Sequence, residues 1–164
     1  DEQRVALALA HGATHGIAAD VAEARGRVVE LTDSRLLDVV FDVTGNPAVL
    51  ASAVGLLRKF GRLVLLGDTP TPSQQPLGPG VVSNSLAILG IHGSGHPASR
   101  SDFAPWSRPE MYALFFDYLA RGCMRVSDLV THRFPVSEAA SAYRMLLKRP
   151  CPAIAALFEW NSGS

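Results

Sequence analysis

Three apolar runs in this chain close on a glycine, and such endings are places where a ligand can reach the backbone. Residues 36–44 run into Gly45, residues 62–66 into Gly67, and residues 86–89 into Gly90. Glycine has no Cβ, so a bound group can approach its amide and carbonyl closely. One such ending is an ordinary turn. Three in succession direct attention to Thr44-Gly45-Asn46, Gly67-Asp68 and Gly90-Ile91-His92, because open parallel sheets bind ligands outside the carboxyl ends of their strands.

The other reactive side chains form no such pattern. His11, His15, His92, His96 and His132 share no metal spacing of the HExxH kind with a Cys or carboxylate. His92 and His96 share a loop, but two ligands seldom hold a metal. Cys123 and Cys151 are too few for a disulfide framework and read as thiols of a reducing compartment. Gly93-Ser94-Gly95 lacks the full GxSxG pattern of a hydrolase elbow. Asp38 and Asp42 flank a buried run without facing each other as paired catalytic carboxylates do.

Composition narrows the partners. The 15 basic residues balance the 15 acidic ones and form no long basic run, which argues against nucleic acid or an anionic membrane. No apolar stretch reaches the roughly 20 residues of a membrane span, and no signal peptide opens the chain. A cytoplasmic protein with a small-molecule partner is the expectation. Asp1-Glu2-Gln3-Arg4 runs straight into a helical pattern without an initiator Met, which reads as a fragment.

Helical and strand periods alternate around these sites. Val5, Ala6, Leu9 and Ala10 recur at helix spacing until Gly12. A weak strand is expected at residues 14–18 and a helix at 21–31. Residues 36–44 form an apolar, β-branched run without clean alternation, as in a parallel strand buried on both faces. Asn46-Pro47 opens a helix, whose stripe of Val49, Leu50, Ala53, Val54 and Leu57 ends at Phe60-Gly61. Strands follow at 62–67 and 86–91, separated by a polar loop at 68–80. A second loop at 93–105 leads to Ser107, a cap for a helix whose Met111, Leu114, Phe115, Tyr118 and Leu119 form a core stripe. A short strand near 124–126, a loop through His132, a helix from Ser137 to Leu147 and a strand at 153–158 complete the pattern. This rhythm predicts an α/β fold: a Rossmann-like parallel sheet with helices on both faces.

The same segments resemble the medium-chain dehydrogenases, most of all their zinc-type alcohol, polyol and threonine dehydrogenase branch. Arg4, Ala8, Gly12 and Ala13 match an Arg-xxx-Ala-xxx-Gly-Ala helix of that family. Residues 38–45 resemble its fourth cofactor-domain strand, 61–67 its fifth and 86–90 its sixth. Residues 129–135, with Glu138, Ala142 and Tyr143, resemble the segment returning to the catalytic domain. The resemblance implies a partial cofactor domain at 1–130 and a return segment at 131–164. The first two strands and the GxGxxG loop are missing.

The implied cofactor is NAD or NADP. Val43, Thr44 and Gly45 would lie along its nicotinamide side. Leu66, Gly67 and Asp68 would meet the nicotinamide riboside, Gly90, Ile91 and His92 the carboxamide, and Arg4 the adenosine ribose. The implied activity of the intact protein is hydride transfer to or from an alcohol, polyol or carbonyl substrate. Zinc belongs to the intact family member, and its ligands are absent from this chain, which is expected to be inactive alone. The edge strand 86–91 implies a homodimer or tetramer. A stand-alone cofactor-binding or assembly module, and a zinc-independent quinone reductase-type relative, are the alternatives. With the first two strands missing, residues 36–44 are expected to present a long apolar edge, covered by upstream residues or by another chain.

Overall fold

The computed structural model describes residues 1–93, 95–148 and 150–160. The chain divides into two compact units, Asp1–Glu110 and Met111–Ser164. None of its helices is long and apolar enough to cross a membrane among the described residues.

The first unit opens with α1 (Glu2–Ala10) and α2 (Val21–Leu31). Asp1 caps α1, its carboxyl oxygen accepting the Gln3 and Arg4 amides at 3.0 and 3.3 Å. That bond satisfies two N–H groups that have no partner within the helix. The sheet follows as β1 (Leu37–Asp42), β2 (Leu57–Leu65) and β3 (Ala87–Gly90), with α3 (Val49–Val54) between the first two. The strands pair β1-β2-β3, and both ladders are parallel. Val40 pairs with Leu63, which pairs with Ile88, so one face carries an apolar row. Leu50, Ala53 and Val54 of α3 pack on Leu57 and Leu63 of β2 to form the core. Leu63 is completely buried; such burial contributes about 1.5–3 kcal/mol for a leucine side chain.

The adjoining register points the other way. Phe41 pairs with Val64 and Val64 with Leu89, and on this face Phe41, Val43, Leu66, Leu89 and Ile91 are all exposed. Phe41 and Val43 retain 61% and 66% of their surface, on the strand expected to present an apolar edge.

Several expected elements take another form. Residues 14–18 form no strand and join no ladder, and Gly16 lies against Val5 and Leu9 of α1. A segment with no neighbouring strand has no ladder to satisfy its backbone groups. The helix after Asn46 stops at Val54 instead of reaching Phe60, and Leu57 already belongs to β2. Four β2 residues stand there opposite one of β1, because Leu37 and Val39 pair with Leu57 and Arg62. Phe60 turns at φ 63°, its amide held by the Asn84 carbonyl at 2.9 Å. Local propensity at residues 55–60 yields to that pairing.

A long helix, α4 (Arg108–Ala120), crosses the boundary between the units. Ser107 and Glu110 form its cap, the Glu110 carboxylate accepting the Ser107 amide at 2.9 Å and hydroxyl at 2.7 Å. Gly122, at φ 69°, ends it, and the Cys123 amide reaches back to the Tyr118 carbonyl. Its apolar stripe is not core: no α4 residue is buried, and Met111, Phe115 and Tyr118 are exposed.

In the second unit the expected strand at 124–126 is absent and the expected loop through His132 is a strand. β4 (Val130–Pro135) runs parallel to β5 (Ala155–Glu159), with α5 (Ala139–Leu146) between them. Ser137 lies in a short 3-10 turn ahead of α5. Strict alternation of half-buried Val130, His132 and Phe134 marks β4 as a one-sided strand. Phe134 and Tyr143 both pack on Phe158, with ring centroids 6.3 and 6.1 Å away, and Ala142 is completely buried.

Candidate functional site

Parallel pairing brings the ends of β1, β2 and β3 to one edge of the sheet, and hydrogen bonds lace them together. The Leu66 and Gly67 amides both donate to the Asp42 carbonyl, at 2.9 and 3.1 Å. One tip further on, the Ile91 amide donates to the Leu65 carbonyl at 3.0 Å.

Beyond β1 the chain turns through a relay of side chains. One Asp42 carboxyl oxygen accepts the Thr44 amide at 2.9 Å and the Thr44 hydroxyl at 2.7 Å. Thr44 Oγ1 accepts the Asn46 amide at 3.1 Å, and Asn46 Oδ1 accepts the Ala48 amide at 3.0 Å. Asp, Thr and Asn each mimic a backbone turn in this way. The relay delivers Gly45 at φ 62°, where a Cβ would lie 2.5 Å from the Asp68 carbonyl oxygen. A Cβ on Gly67 would strike the Gly45 amide nitrogen. Both glycines are therefore required for the close approach of the two tips. Gly90 is different: a Cβ there meets nothing within 4 Å. Its backbone faces open space.

A cavity of about 290 Å³ lies on these tips, lined by Leu65, Leu66, Gly67, Asp68, Gln75, Gly90, Ile91 and His92. Small-molecule sites run from about 300 to 1,000 Å³, so this hollow suits one nucleoside-sized half of a larger ligand. Gly90, Ile91 and His92 also border a second hollow of about 520 Å³, completed by His96, Phe103 and Trp106 among others. Thr44 and Asn46 border a third, of about 570 Å³, beside the start of α2.

Of the ten residues singled out in the sequence, six line the first cavity: Leu66, Gly67, Asp68, Gly90, Ile91 and His92. Gly45 packs against Gly67 and Asp68, while Thr44 sits on the neighbouring hollow. Val43 is exposed just past β1. Arg4 stands apart on the first turn of α1, 3.4 Å from the Asp1 carboxylate. Asp42 and Gln75 were not anticipated. The Asp-x-Thr spacing of an Asx turn is a signal for the first; Gln75 lies in a polar loop with no signal at all. Among the described residues, no group of three or more His, Cys, Asp or Glu could hold a metal ion. The described residues therefore do not fit a zinc site.

The chain belongs to the zinc-binding dehydrogenase family, whose model matches residues 1–108. It is 27% identical over 146 residues to the sorbitol dehydrogenase of Bacillus subtilis (strain 168), spanning 88% of this chain and 37% of that protein. It is 25% identical over 151 residues to the L-threonine 3-dehydrogenase of Bacillus licheniformis, spanning 92% of this chain and 40% of that one. An alcohol dehydrogenase from Escherichia coli CFT073, solved in complex with NADH, has the same fold. It superposes with a TM-score of 0.70 at 20% identity, covering 98% of this chain and 42% of its own. The chain thus spans less than half the length of the relatives it matches.

Proposed function

We propose that the strand tips cradle the nicotinamide half of NAD or NADP, and that the intact protein is an alcohol or polyol dehydrogenase. The observation that carries this reading is the adjacency of three glycine-bearing tips on one edge of a parallel sheet, with a cavity on them. The match to sorbitol and threonine dehydrogenases supports a secondary alcohol or its carbonyl as substrate.

The bound dinucleotide supplies the hydride chemistry at C4 of its nicotinamide. The residues of this chain bind and orient it. Backbone groups of Leu66, Gly67 and Asp68 face the riboside, and those of Gly90, Ile91 and His92 the carboxamide. Exposed Val43 and Thr44 flank the ring, and Arg4 serves the adenosine ribose. Zinc ligands belong to another part of the intact protein, so no step on this chain runs through a metal.

We further propose that residues 1–130 serve the cofactor and 131–164 the catalytic domain, and that β3 is a subunit contact. β3 is the last strand of its sheet. Ile91 directs its amide toward β2, so alternation leaves Ile88 and Gly90 presenting their backbone groups to the outside. A second copy can continue the sheet there.

Titration of the protein with NADH and NADPH tests the cradle. Saturable binding is expected, weakened about tenfold by Gly90→Leu, whose side chain enters open space and leaves the fold intact. Equal affinity in that variant would place the dinucleotide elsewhere.

A further inference from the structure

We propose that Asp42 is a positioning residue of the cofactor cradle, acting through Thr44; this rests on the cradle reading above. Asp42 is 3% exposed, a buried carboxyl at the end of an apolar strand. Its neighbours Val39, Val40, Phe41 and Val43 show that an apolar residue would continue this strand without difficulty. Burying a polar group is costly unless every one of its atoms is paired. Asp42 is only half paired. One oxygen accepts both Thr44 donors, and the other is buried with no hydrogen-bond partner among the described residues. Sheet stability alone gives no reason to keep such a group, since well-packed apolar residues often replace buried ionic ones without loss.

What the residue does achieve is to tie two tips to one point. Its carboxyl fixes the Thr44 amide and hydroxyl, which turns the chain toward Gly45. Its carbonyl takes the Leu66 and Gly67 amides, which fixes the neighbouring tip. Gly45 then lies against Asp68, and Gly67 against Gly45. Without the carboxyl, Thr44 has two donors and no acceptor. The turn that presents Gly45 to Asp68 then loses its anchor, while the β2 tip keeps its own. The cradle is distorted although the sheet persists.

The test is calorimetric titration with NADH of the wild type, Asp42→Ala, Asp42→Asn, Thr44→Val and the Asp42→Ala/Thr44→Val double variant, with melting followed in parallel. Asp42→Ala is expected to weaken binding about tenfold, and Asp42→Asn, which keeps one acceptor oxygen, to restore it to within about twofold. Thr44→Val should weaken binding, and the double variant should bind no worse than the weaker single one, because both changes remove the same link. If Asp42→Ala melts earlier yet binds NADH as tightly as the wild type, Asp42 is merely structural and the proposal is overturned. Strictly additive losses overturn its action through Thr44. Should Asp42→Ala fail to fold, Asp42→Val, an apolar residue like its strand neighbours and equally without an acceptor, takes its place with the same expected weakening of about tenfold, and wild-type affinity in it overturns the proposal. A wild type that binds neither NADH nor NADPH removes the cradle itself, and this proposal with it; a binding wild type with indifferent variants removes this proposal alone.

Discussion

Gly67 faces the amide nitrogen of Gly45 so closely that a Cβ on it would strike that atom, leaving no room for a side chain between the ends of β1 and β2. The atoms in the way are backbone, which cannot swing aside as a long side chain does. Gly67→Ala must therefore push the two tips apart, and the expected loss is about 1–3 kcal/mol of stability, the usual range for overpacking. Chemical denaturation of the variant measures it. An unchanged midpoint would mean that the tips are not in contact.

The loop between β3 and α4 is held by an electrostatic clamp at Glu110. The Arg100 side chain is the main cause that holds the Glu110 carboxyl down at about 2, with the Ser107 amide and hydroxyl adding to it. The bond from Arg100 Nε measures 2.6 Å. A depressed acid stabilises the fold above its unfolded value of 4.5, and that contribution fades as pH falls toward about 2. Amides of residues 96–106 are accordingly expected to exchange slowly at neutral pH and faster in Glu110→Gln. An NMR titration should find the Glu110 midpoint well below that of an ordinary glutamate. A midpoint near 4.5 would dissolve the clamp.

Much of this site was legible because parallel strands declare themselves by continuous β-branched runs, and Gly45, Gly67 and Gly90 punctuate those runs. What the sequence concealed depends on pairing over a distance. Leu57 continues a helical stripe by local spacing, yet it is drawn into β2 by Leu37, twenty residues earlier in the chain. Residues 130–135 alternate as a strand should, but their partner lies beyond α5, and the loop-like Thr131-His132 hides it. The α4 stripe has helical periodicity and therefore reads as core, although periodicity reports only that a face is apolar, not that something covers it. Asp42 declares itself only through the Asp-x-Thr spacing of the turn it anchors two residues later.

Leu63 is the residue on which the whole sheet closes. It is completely buried, with Val40 and Ile88 beside it in the ladder and α3 above. Leu63→Ala removes a side chain that nothing can replace from within so small a core. A loss of about 2–5 kcal/mol is expected, read from urea unfolding. Since Leu66 and Gly67 follow directly on the end of β2, the residual folded protein should also bind NADH more weakly. A loss below about 1 kcal/mol would indicate that the site collapses around the smaller residue.

The outer edge of β3 supplies the remaining prediction. Ile88 and Gly90 present their backbone groups away from β2, so a proline at position 88 removes an outward donor and leaves the inner ladder to β2 intact. Proline is tolerated within an edge strand where its missing N–H would have faced outward. Ile88→Pro should therefore convert a dimer of the protein into monomers in light scattering. The variant also shortens a side chain that packs against the core, so Ile88→Val serves as the control for lost packing: it should melt somewhat earlier and remain dimeric. If the wild type is already monomeric at high concentration, or if both variants dissociate equally, the subunit contact does not run through this strand's backbone.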